Sequence, residues 1–169
     1  MSNPLVNYLH DHLGGSTFAI ELLESLRDQY SGQPLGGVAS DILAEVQDDQ
    51  QVLLRIIERV GKETFDVKVA AGWVAEKVSR LKFQSGTDGS LGTFEALETL
   101  TLGIQGKASL WRALNAIREV DARVAGEDFD RLVERAEAQY ARVEAQRLLL
   151  ARGTFEPAGS EDRVSSARG

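Results

Sequence analysis

Between residues 35 and 60 the chain reads LGGVASDILAEVQDDQQVLLRIIERV, and its apolar residues recur alternately three and four positions apart: Leu35, Ala39, Ile42, Val46, then Leu53, Ile56 and Val60. That spacing draws one apolar seam along a helix, the pattern of an antiparallel bundle in which each seam position faces a partner helix. One member breaks the series. Position 49 should be apolar and is Asp49, and a carboxylate facing a bundle interior must be partnered or else costs several kcal/mol.

The rest of the chain repeats the helical pattern. A first helix is predicted over 4–30, with Asn3 as its cap, Pro4 in its first turn and Gly32 with Pro34 ending it. Its seam reads Leu5, Leu9, His12, Ser16, Ala19, Leu23, Leu26, Tyr30, so that two adjacent seam positions are polar. Gly14 and Gly15 sit beside them in mid-helix, where each costs about 1 kcal/mol relative to Ala. Such glycines admit another backbone or leave room for a ligand, and close packing is the expectation. A weaker helix is expected over 63–83, then a loop over 84–91. Residues 92–120 form a helix that is apolar nearly all round, hence expected to be central, with Gly103 and Gly106 again suggesting close contact. A last helix over 127–152 has the seam Phe129, Val133, Ala136, Tyr140, Val143, Arg147, Leu150. Period-two alternation never persists beyond four or five positions, so the fold class is all-α. Residues 1–156 are expected to form one domain and 157–169 a flexible polar tail.

Composition removes several functions. The chain has no cysteine, which excludes disulfides, zinc–thiolate sites and thiol catalysis. No apolar run approaches the ~20 residues of a membrane span, and the first fifteen residues lack the basic and apolar regions of a secretory signal. A cytoplasmic protein is the default expectation. Net charge is −7, and residues 1–61 carry nine acids against Arg27, Arg55 and Arg59. That balance argues against nucleic-acid binding, which needs a contiguous positive surface; Lys77, Arg80 and Lys82 read as a solvated helix face. The glycine pairs at 14–15 and 36–37 lack the strand–glycine–helix context and the Lys-Ser/Thr of a phosphate loop.

The short connection 31–34 makes the first two helices an antiparallel hairpin. Folding about it sets Ser16 level with Asp49, and His12 about one turn (~6 Å) further from the loop. Counting turns brings Trp111, Glu137 and Tyr140 to similar heights, with Glu45 one turn from Asp49. An interior polar layer of His12, Ser16, Asp49 and Tyr140 follows, with Glu45, Trp111 and Glu137 as further contributors. It is read either as a satisfied hydrogen-bond layer that fixes helix register or as a small-molecule or single-metal site. His10, on another helix face, is expected at the surface.

Two long hairpins joined by a helical connection resemble the ferritin-like architecture in helix lengths and order across residues 4–152; a five-helix up-and-down bundle has the same lengths. On the ferritin-like pattern the helix over 92–120 runs parallel to that over 35–60. The family's di-iron chemistry does not carry over. Both histidines lie on the first helix, no Glu-x-x-His occurs, the nearest pairs being Glu45-x-x-x-Asp49 and Glu137-x-x-Tyr140. The resemblance therefore implies form, not oxidation chemistry. The expected function is that of a non-enzymatic helical-bundle protein acting through protein–protein contacts or self-association, with a homo-oligomer or helical partner and no cofactor. The alternative is a metal- or small-molecule-binding protein with an interior site at His12, Ser16 and Asp49, where one metal would be weakly held.

Overall fold

The computed structural model describes residues 3–61 and 89–156. They form four long helices: α1, Pro4–Gln29; α2, Pro34–Val60; α3, Gly89–Ile117; and α4, Phe129–Phe155. No strand occurs among the described residues. The helix expected over 63–83 and the tail expected over 157–169 lie outside them.

Local chemistry accounts for the ends. The Asn3 side chain accepts from the Leu5 amide at 3.1 Å and Pro4 occupies the first turn of α1, which satisfies one orphan donor and removes another. At the far end the Tyr30 amide still reaches Leu26 O, the chain reverses at Gly32 (φ +78°), and Pro34 begins α2. Helix α2 stops at Gly61, whose φ of +119° suits a residue without Cβ. Asp128 caps α4 by accepting from the Arg131 amide at 3.0 Å.

Hairpins α1–α2 and α3–α4 pack side by side through α1 against α3 and α2 against α4. Every neighbouring pair is antiparallel. Tyr30 at the end of α1 meets Thr93 at the start of α3, hydroxyl to hydroxyl at 2.6 Å. Along α2 and α4, Glu45 meets Arg142 while Arg55 and Arg59 meet Glu127. Helices α2 and α3 therefore lie parallel on a diagonal, as expected for that pair. Helix α3 is touched on more than one side, as expected, by α1 and α4, while its outer face is open, with Leu102 65 % exposed.

The apolar core is split along the bundle axis. One cluster, at the turn joining α1 and α2, gathers Phe18, Leu22, Leu26, Ile42, Val46, Leu100 and Ile104 with Ala136 and Val143. The other gathers Val6, Leu9, Leu53, Ile56, Leu110, Trp111, Leu114, Phe129 and Leu132. Between them lies a polar layer.

Candidate functional site

Asp49 is 2 % exposed, and its partners come from α3 and α4. The Lys107 ammonium donates to Asp49 Oδ2 at 2.5 Å, and the Arg135 guanidinium donates to Oδ1. Gln139, fully buried, accepts from Lys107 and donates to Glu45 Oε2 at 2.9 Å and, more weakly, to Asp49 Oδ2 at 3.4 Å. Arg142 then holds both oxygens of Glu45 at 2.7 and 2.6 Å. Lys107 thus reaches across the diagonal to α2, where the two backbones do not touch. A lysine's long stem makes that reach possible without bringing the helices together.

Burial pushes the Lys107 ammonium below the usual lysine range, and the Asp49 charge and hydrogen bond only partly restore it. For Glu45, burial pushes the carboxyl up, but the hydrogen bonds from Arg142 and Gln139 outweigh it and the net shift is downward.

On the other side of Lys107 a cavity of about 230 Å³ opens between α1, α2 and α3. Its wall is largely apolar, from Ala19, Val46, Leu53, Ile104, Leu110 and Trp111, with Lys107, Asp49, Ser16, Gln50 and His12 supplying polar groups. Gly15, Gly103 and Gly106 also line it. A Cβ added at any of these three, or at Gly14, would meet nothing within 4 Å. The expected close helix contact at these glycines is therefore corrected: they leave space.

His12 is half-buried on the cavity wall, its ring edge-on to Tyr8 at 4.7 Å between centroids. Burial lowers its pKa, with Asp11 pulling weakly the other way. Ser16 lies level with Asp49 as expected, yet its hydroxyl accepts from Gln50 at 2.9 Å and donates to Leu13 O. Trp111 is 1 % exposed, and among the described residues its indole Nε1 has no hydrogen-bond partner.

Three placements differ from the sequence reading. Glu137 points outward to Arg112 at 2.6 Å, both exposed. Tyr140 is half-buried against the core cluster nearer the α1–α2 turn and lines the outer α3–α4 groove with Glu137, away from Asp49. The inward position is Gln139, because α4 buries Phe129, Leu132, Ala136, Gln139 and Val143. His10, expected at the surface, is 7 % exposed. Lys107, Arg135, Gln139 and Arg142 went unnoticed in the sequence. The available signal was Arg135, Gln139 and Arg142 at i, i+4 and i+7, a polar stripe on one helix face opposite two carboxylates.

The carboxylates of Asp49 and Glu45 are engaged by cations, and among the described residues no group of three or more His, Asp or Glu comes together to hold a metal. No described helix is long and apolar enough to cross a membrane. No family model, no curated protein and no solved structure matches the chain.

Proposed function

We propose that the chain is a binding protein that holds a small, largely apolar molecule in the cavity between α1, α2 and α3. One observation carries this reading: Gly15, Gly103 and Gly106 converge on that cavity from two helices, and none of them is required by a neighbouring backbone. A mid-helix glycine costs about 1 kcal/mol against alanine; Gly15 and Gly103 are exposed at the rim and Gly106 is half-buried, so the three keep the mouth of the cavity open. The polar layer is then both brace and wall. It fixes the register of α2, α3 and α4 and presents Lys107 to the cavity. A ferritin-like form, with which the parallel run of α2 and α3 accords, and a cytoplasmic setting belong to the same proposal.

Benzene is the test ligand, since a cavity of about 150 Å³ already admits it. Saturating benzene is expected to raise the unfolding temperature of the parent chain, because a ligand bound only to the folded state stabilises it by mass action. Gly103→Ala with Gly106→Ala should also raise it, by ~2–4 °C per kcal/mol gained, and Gly106→Leu should abolish the benzene effect. No benzene response in the parent would refute the reading.

Self-association is the second reading. Leu148, Leu149 and Phe155 near the end of α4 are 58, 73 and 59 % exposed, and clustered exposed apolar side chains favour an interface.

A further inference from the structure

We propose that the ligand of this cavity is an apolar carboxylate, a body about the size of a benzene ring carrying one anionic head that seats on the Lys107 ammonium. The inference rests on reading the cavity as a ligand site and goes further by assigning the ligand's charge.

Charge is the first argument. Glu45 at the edge of the layer is matched by Arg142, whereas the buried Asp49 is held by two cations, Lys107 and Arg135. Among the described residues the layer therefore has three cations against two carboxylates, and its Lys107 end is nearly enclosed, where an unmatched charge is expensive. Burial lowers the Lys107 pKa, and an anion beside it would raise it again.

Donor counting is the second. An ammonium has three N–H donors; among the described residues those of Lys107 go to Asp49 and Gln139, and one remains on a side chain that borders the cavity. Trp111 on the same wall carries a buried indole N–H with no acceptor among the described residues. The lining is thus short of acceptors, which a carboxylate supplies. Asp11, also on the wall, is exposed, and water screens its repulsion. Size sets the rest of the ligand. The cavity's 230 Å³ exceeds the roughly 150 Å³ that holds benzene by about enough for a short acid arm.

Three matched probes test this by calorimetry on the full chain at neutral pH: 3-phenylpropanoate, 3-phenylpropan-1-ol and 3-phenylpropylamine. The carboxylate should bind at least ~tenfold tighter than the alcohol, the scale of a hydrogen bond to a charged group, and the amine most weakly. In Lys107→Met the carboxylate's advantage should disappear while the alcohol's affinity persists. Should that variant not fold, the parent supplies a second readout. Its affinity for the carboxylate should fall as pH is raised towards 10.5 and Lys107 loses its proton, and its affinity for the alcohol should not. Alcohol or amine binding as tightly as the carboxylate, or a carboxylate affinity unchanged up to pH 10.5, would overturn the anion assignment and leave the cavity reading standing. Failure of all three probes together with benzene would overturn the cavity reading itself.

Discussion

At the scale of the residue, Asp49 decides how the middle of the bundle is built. Its side chain is almost fully enclosed, and both of its oxygens accept from cations. Removing one member of such a set strands the others, a loss of about 3–5 kcal/mol when the partners are buried. Asp49→Ala should therefore lower folding free energy by that order in urea titrations. Glu45→Ala should cost about 1 kcal/mol or less, because the Glu45–Arg142 pair is about one-third exposed on each side. Equal losses in the two variants would contradict the assigned roles. Asp49 was legible in the sequence as the one polar member of an apolar seam. Its partners were not, because spacing along a helix gives the direction of Cβ but not how far a lysine or arginine stem reaches across a bundle.

The same ambiguity governs whole helices. In α4 the ladder Phe129, Val133, Ala136, Tyr140, Val143 and the ladder Phe129, Leu132, Ala136, Gln139, Val143 have equally helical spacing, and preferring the aromatic Tyr140 to the polar Gln139 selects the first. The bundle buries the second, because Gln139 finds Lys107 and Glu45 waiting; a polar side chain with all its partners present can occupy a core position. The α1–α2 junction shows the converse, a glycine fixed by a neighbour. A Cβ on Gly36 would lie 2.1 Å from Tyr30 O and 2.7 Å from Tyr30 C, so the hairpin can close only with no side chain there. Gly36→Ala should destabilise the chain by about 1–3 kcal/mol, the usual cost of forced overpacking, in contrast to the stabilising alanines at positions 103 and 106. An unchanged denaturation midpoint would show that the turn can move aside.

For the molecule as a whole, pH reads out how buried charge is distributed. His12 has a lowered pKa in the fold. As pH falls below about 6.5 the unfolded chain takes up a proton that the folded one resists, and stability is lost until the folded pKa is passed. Glu45 is lowered and Asp121 is held down to about 2 by Arg123; their contributions are full above about pH 4 and are lost as pH falls through the folded values. Lys107 acts at the alkaline end: its lowered pKa makes stability rise with pH from its folded value towards about 10.4. Urea midpoints should therefore fall in two steps on acidification, and His12→Gln should remove the upper one. An upper step that survives in His12→Gln would assign it to another group. From the sequence alone came the four described rods, the tight turn between the first two, the antiparallel hairpins and the anomaly at position 49, because helical periodicity and turn chemistry are local properties. Only the tertiary structure decided that α3 leaves its outer face open, that four glycines face space, and that a lysine from the diagonal helix closes the polar layer. Those depend on distances between helices, which no repeat along one helix encodes.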